Sequence, residues 1–348
     1  MPSPKVAVVI LNYNTQELLE KYLPDILATD FDNMDVWVVD NASTDKSVSF
    51  LKSQFHQQVH ILKSTENRGY AGGYNWALDK IEAEYYVLIN SDVRVPKSWL
   101  RPLVNLAQAN PKIGAIQPKI LDDKRAQYFE YAGASGGYID RWGYPFCRGR
   151  IFDSLEQDIG QYDDTTSIFW ATGACLFVRA DVFHNSGGFD DDLFAHMEEI
   201  DLCWRMQNLG HEIYVEPKSE VYHLGGGTLS EGSSFKYFLN YRNNLILITK
   251  NLASSFWLGT LFWRMVLDGI SALKFVLDGK PKLFLTVLKA HFSFWSSLKS
   301  SIVKRKQIQA NRITRPRLYN QSVVWLYFFR KKTKFKDLPN VEWLVDNH

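Results

Sequence analysis

Short runs dominated by β-branched, aliphatic and aromatic residues recur near the start of the chain, at 6–11, 36–39, 59–62 and 85–89. A strand with one wet face alternates polar and apolar positions, whereas an unbroken run marks a strand covered on both faces, as in a parallel sheet under helices. Between the runs, 17–27, 47–54 and 73–81 carry apolar residues at helical spacing, and Thr44-Asp45-Lys46-Ser47 supplies a helix cap. The alternation predicts a doubly wound α/β domain. In such sheets ligands sit beyond the C-terminal strand ends. Here those ends read Asn12-Tyr13-Asn14, Asp40-Asn41-Ala42-Ser43 and Asn90-Ser91-Asp92. Each could be turn chemistry alone, but together they make one polar edge.

The pattern then changes. Residues 122–169 are irregular, with a Gly-rich and aromatic segment at 131–149 that reads as a surface loop or flap over a cleft. Regular structure resumes at 167–179, Gly187-Gly188 breaks the chain, and 213–215 and 220–223 read as two short strands before Gly225-Gly226-Gly227. From Ser234 on, helices rich in Phe, Trp and Leu carry interspersed Lys and Arg. The expected division is a catalytic domain over 1–233 and a helical region over 234–348. Apolar and basic patterning suits peripheral contact with an anionic membrane; packing as a bundle or in a homo-oligomer is the competing reading.

Composition narrows the classes. A formal charge of +2 lacks the basic excess of a nucleic-acid binder. Cys147, Cys175 and Cys203 are too few and too scattered for a disulfide framework or a cysteine zinc site. The N-terminal residues read as a strand rather than a leader, and no stretch reaches membrane-span length. The expected location is the cytoplasm, or peripherally the inner face of the cell membrane.

The densest chemistry lies at 193–205, where Glu198, Glu199 and Asp201 crowd into a helix start closed by Arg205. The helix dipole favours anions there, so a capped, solvated helix start is one reading; a cation site or a proton acceptor is the other. Asp92, at a strand end, is placed to hold a divalent cation that keeps part of its shell for phosphate oxygens. His223 could add an imidazole or be structural. Thr65 to Asn75 joins a strand to a helix through Gly69, Gly72 and Gly73; its helix start and Arg68 could meet phosphate, or simply pack on the sheet. It matches neither dinucleotide nor P-loop signatures, and no Gly-x-Ser-x-Gly elbow is present.

Seven segments in order resemble the inverting, family 2-like nucleotide-sugar glycosyltransferases of the GT-A fold, most nearly the rhamnosyltransferase-type members that build bacterial surface polysaccharides. They are 8–14, 38–45, 67–75, 88–92, 172–176, 187–190 and 198–205. The resemblance implies a Rossmann-like mixed, mainly parallel sheet flanked by helices, with a C-terminal helical region. It implies a nucleoside diphosphate sugar as donor, dTDP-rhamnose as first choice, with UDP- and GDP-sugars as alternatives. The acceptor would be a saccharide or lipid-linked saccharide, and the cation Mg²⁺ or Mn²⁺. Asp40 would read the base, with Asn12 and Tyr13 lining the pocket and Arg68 and Gly69 near the nucleotide. Asn90-Ser91-Asp92 stands where the family carries Asp-x-Asp, which leaves the metal contact to Asp92, with His223 as a second ligand. Glu199 would be the catalytic base. Trp170, Trp204 and Tyr144 are candidates to stack on sugars. A nucleotidyltransferase of related topology and a non-catalytic membrane-bound scaffold are the rival classes.

Overall fold

The computed structural model describes residues 3–225, 233–253 and 255–341. The first half alternates as expected: β1 (Val6–Asn12), α1 (Gln16–Leu27), β2 (Met34–Asp40), α2 (Ser47–Gln54), β3 (His60–Lys63), α3 (Gly69–Leu78) and β4 (Tyr85–Asn90). Then come β5 (Val93–Arg94), α4 (Leu100–Ala109), β6 (Ile113–Asp122), the short strands β7 (Gly137–Ile139), β8 (Pro145–Cys147), β9 (Arg150–Ile151) and β10 (Ser154–Leu155), and β11 (Thr166–Ile168) and β12 (Cys175–Arg179). They are followed by α5 (Ala180–Asn185), α6 (Glu198–Asn208), β13 (Glu212–His223), α7 (Ser234–Asn251), α8 (Trp257–Leu277), α9 (Pro281–Ala310) and α10 (Val323–Phe328).

The main sheet has the order β11-β13-β6-β12-β4-β1-β2-β3, with β5 paired to β13. β1 runs parallel to both β2 and β4, and β13 parallel to β6, while β12 runs antiparallel to its neighbours. The unbroken apolar runs are explained by burial from both sides. Val6 to Ile10 and Val87 to Ile89 are fully covered, sandwiched between two hydrophobic clusters.

Three expectations need correction. The two strands foreseen at 213–215 and 220–223 are one strand, β13, whose register against β6 slips between Glu216 and Glu220. That irregularity interrupts the sequence pattern without ending the strand. The segment 131–149 is a surface flap only at its start, where Tyr131 and Ala132 border a cleft. Beyond that it supplies β7 and β8 of a second sheet, ordered β10-β9-β8-β7, in which Tyr138, Ile139, Phe146 and Cys147 are buried. Phe335, near the end of the described chain, packs on the Tyr138 and Phe146 rings. The helix foreseen from Gly73 begins at Gly69, so the glycines lie inside its first turns. Gly226 and Gly227 lie outside the described residues.

Candidate active site

Because β1, β2 and β4 are parallel and adjacent, their polar ends meet on one edge. Asn12 is paired in register with Asp40, and Leu11 with Asn90. A cavity of about 420 Å³ opens there. Its wall carries Tyr13, Gly69, Asn90, Ser91, Asp92, Glu199 and His223 from the sequence-derived set. Asn12, Asp40 and Arg68 are not part of that wall. Asp40 is fully buried and accepts hydrogen bonds from Asn12 Nδ2 at 3.1 Å and Ser43 N at 3.3 Å. Its neighbour Asn41 lines the cavity instead, donating to Gly69 O at 2.9 Å. Arg68 pairs with Glu66 at 2.9 Å and lies over the Trp76 ring.

One end of the cavity is a carboxylate–imidazole–carboxylate row. Backbone pairing of His223 with Val93 sets the imidazole beside Asp92. His223 Nε2 lies 3.1 Å from Asp92 Oδ1, and Nδ1 lies 3.2 Å from Glu130 Oε2, in an ion-pair contact without hydrogen-bond alignment. Burial opposes charge on the ring, but the two carboxylates outweigh it and push the imidazole up to about 10. Glu130 escaped the sequence reading because it sits in the irregular stretch after β6, where neither periodicity nor motif marks it.

A divalent cation held by Asp92 and His223 would take the place of the proton they share across a 3.1 Å hydrogen bond, leaving the ring neutral. Two ligands set at a right angle on a cation about 2.1 Å from each are about 3 Å apart, close to the spacing of Asp92 Oδ1 and His223 Nε2. A carboxylate behind a ligating imidazole is the usual orienting partner, and Glu130 stands there. Among the described residues no group of three or more His, Cys, Asp or Glu side chains could hold a metal. The remaining positions would therefore fall to water and to phosphate oxygens, as Mg²⁺ and Mn²⁺ accept.

Another part of the cavity wall is the loop entering α6. Phe194, His196 and Met197 all have positive φ, between 62° and 71°, a conformation costly for residues with a Cβ and persistent only where surroundings impose it. Three contacts impose it here. Tyr70 N and Ala71 N donate to Phe194 O at 2.7 and 3.1 Å. Asn243 Nδ2, on α7, donates to the carbonyls of Leu193, Ala195 and His196 at 2.7–2.9 Å. Gly69, itself at φ +68°, lets the loop approach, since a Cβ there would lie 2.5 Å from the Phe194 ring. Two N–H groups at the start of α3 are thus spent on the loop carbonyl, and that of Gly69 goes to Asn67 Oδ1 at 2.9 Å. The packing reading of the glycine-rich segment has its contacts here, and Gly69 also lines the cavity.

The loop delivers Glu198 and Glu199 to the cavity in the first turn of α6. The Oε2 of each is buried without a hydrogen-bond partner. Burial raises both carboxyls: Glu199 to about 7, and Glu198 well above its ordinary value with help from the Glu199 charge. Asp201 has a different task. It turns inward to Lys250 Nζ and Arg205 Nε, both at 2.9 Å, and to Asn251 Nδ2 at 2.7 Å; against its burial, these cations hold its carboxyl well below the usual range. His196 also faces the cavity, its imidazole depressed to about 4 by burial and by Lys236. Trp170 and Trp204 are core residues, and Tyr144 lies under the Arg264 guanidinium, so none is on the cavity wall. The rings that do line it are Tyr13, Tyr70, Tyr131, Phe194 and Phe235.

The family model described as glycosyl transferase family 2 matches residues 7–184, from β1 to α5. The chain belongs to this family. The family 2 glycosyltransferase is 22% identical over 272 residues to an N-acetylglucosaminyl-diphospho-decaprenol L-rhamnosyltransferase of Mycobacterium tuberculosis, covering 74% of this chain and 88% of that protein. It is 27% identical over 225 residues to the O-antigen biosynthesis protein RfbC of Myxococcus xanthus, a match covering 64% of this chain but only 17% of that protein. Among solved structures it is similar to GalNAc-T7 with UDP, GalNAc and Mn²⁺, at a TM-score of 0.56 and 14% identity, over 72% of this chain and 48% of that one. That likeness concerns the fold, which is the GT-A fold expected from the sequence. The bound Mn²⁺, UDP and GalNAc are those of GalNAc-T7.

Proposed function

We propose that the protein transfers a sugar, with inversion, from a nucleoside diphosphate sugar to a saccharide hydroxyl in the assembly of a bacterial surface polysaccharide. The observation that carries this reading is one cavity with a cation-compatible Asp92–His223 pair at one end and a carboxyl raised to about 7, that of Glu199, on its wall. Asp92 and His223 would hold a divalent cation, with Glu130 orienting the imidazole. When bound, the cation neutralises charge developing on the leaving diphosphate. Tyr13 and Asn41 would line the nucleoside side, with Asp40 and Asn12 shaping that pocket from behind. Glu199 is the more open of the two loop glutamates, and its pKa suits a base working near neutrality. It takes the hydroxyl proton as the acceptor oxygen bonds to the anomeric carbon and the bond from that carbon to the phosphate oxygen breaks. The nucleoside diphosphate leaves.

The mycobacterial relative, an L-rhamnosyltransferase named for N-acetylglucosaminyl-diphospho-decaprenol, favours rhamnose as the sugar and a lipid-linked saccharide as acceptor; dTDP as the nucleotide rests on the sequence resemblance alone. A thermal-shift screen of dTDP, UDP and GDP and their sugars, with and without Mn²⁺, tests donor and cation together. The expected result is a Mn²⁺-dependent shift with one base, lost in Asp92→Ala, and a Glu199→Gln variant that binds donor but does not transfer. Wild-type turnover by Glu199→Gln would remove the base assignment, and no shift with any nucleotide would remove the donor reading.

A further inference from the structure

Helix α8 is turned inside out. Its protein-facing side carries Arg264 and Asp268, an ion pair at 2.8 Å that also meets Asn244, Tyr144 and His291. Its outward side carries Leu258, Phe262, Trp263, Ile270, Leu273 and Leu277, all exposed. A surface helix of a water-soluble fold has the opposite arrangement. The next helix, α9, continues the pattern: Leu285, Phe292 and Trp295 are half or more exposed, while Val287, Ala290 and Phe294 are buried. Apolar area of this extent on a surface marks an interaction site.

We infer that the α8–α9 hairpin lies in the surface of an anionic bilayer, with this apolar face among the acyl chains. Charge selects the occupant. Residues 257–310 hold nine Lys and Arg against two acids, Asp268 and Asp278; the first is buried and the second is paired with Lys274. Lys280, Lys282, Lys289 and Lys299 are exposed around the apolar face. A two-fold dimer would press this basic surface against its own copy, whereas anionic headgroups complement it. Among the described residues no helix is long and apolar enough to cross a membrane, so the hairpin lies along the surface. The hairpin is tied to the catalytic loop: Lys304 of α9 bridges Asp190 and Asp192, which immediately precede it. Docking would therefore fix the cavity relative to the membrane. The inference does not depend on the reaction.

Co-sedimentation of the full chain with vesicles of phosphatidylcholine, with and without phosphatidylglycerol, tests it. The protein should pellet with the anionic vesicles, and less so as salt rises. Phe262→Glu/Trp263→Glu should weaken binding by more than about tenfold, and Lys282→Ala and Lys289→Ala by about fivefold each. Wild-type melting and nucleotide-induced shifts in these variants would show that the fold and the catalytic cavity are intact, so a failure here is separable from a failure of the catalytic reading. Equal pelleting with and without vesicles, or unchanged vesicle binding by the Phe262/Trp263 variant, would overturn the inference. So would a dimer in sedimentation velocity that this variant dissociates while vesicles bind neither form.

Discussion

As the proposed base, Glu199 would face two demands that conflict. A base needs a carboxylate ready to accept a proton near neutral pH, and burial makes that carboxylate expensive to ionise. The cost falls on stability. Glu199 titrates near 4.5 when exposed and near 7 in the fold, so the folded state holds the extra proton between those values. Stability from this group is therefore full below about pH 4.5 and declines as pH rises through 7. Glu199→Gln should abolish transfer yet raise the melting temperature at pH 8, with the gain vanishing near pH 4; calorimetric scans at both pH values check it. In the wild type, kcat/KM should fall about tenfold per pH unit below about 7. Glu130 makes a second test at this scale. If it orients His223 behind a cation, Glu130→Gln should weaken Mn²⁺ affinity about 10–100-fold, read by titration calorimetry, while nucleotide affinity at saturating Mn²⁺ is unchanged.

At the scale of elements, the catalytic geometry is a loop–helix junction held from two sides. Asn243 on α7 is its outer clamp, with one amide nitrogen serving three carbonyls of the strained loop. Asn243→Ala should cost about 1–3 kcal/mol in denaturant unfolding and lower kcat more than donor affinity, because the donor meets the strand ends. Equal losses in both would deny the clamp a role in positioning Glu199. The strand ends were readable because parallel strands impose continuous apolar runs, and the chain leaving each run passes along the ligand edge. The roles of the three acids were partly readable too. Asp201 is four residues from Arg205, the spacing of a helical ion pair, and about 200° around the helix from Glu199. The clamp was not readable, since nothing along the sequence announces that Asn243 meets residues fifty positions earlier. Nor was Glu130, nor the small sheet at 137–155: short strands joined by one to three residue pairs leave too little periodicity to detect.

Across the whole molecule, the C-terminal helices share charges with the catalytic half. Lys250 of α7 is buried between Asp190 and Asp201, and Asp201 also holds Arg205. The arrangement leaves a buried carboxylate ionised only because cations surround it. Lys250→Met removes one of them while Lys304 and Arg205 remain, so the cost should not exceed about 3–5 kcal/mol. The pH dependence separates this account from simple loss of packing. Asp201 is depressed below the usual carboxylate range, so its contribution is complete above about pH 4 and is lost as pH falls further. Without Lys250 that depression shrinks, and less stability remains to be lost in acid. The difference in melting temperature between wild type and Lys250→Met should therefore stay level from pH 7 to about pH 4 and narrow as pH falls below that. Lys250→Met/Asp201→Asn, which removes the stranded charge as well, should recover part of the loss at pH 7. A difference that stays constant with pH would place the effect in packing and leave the ion pairs without a part in joining the two halves.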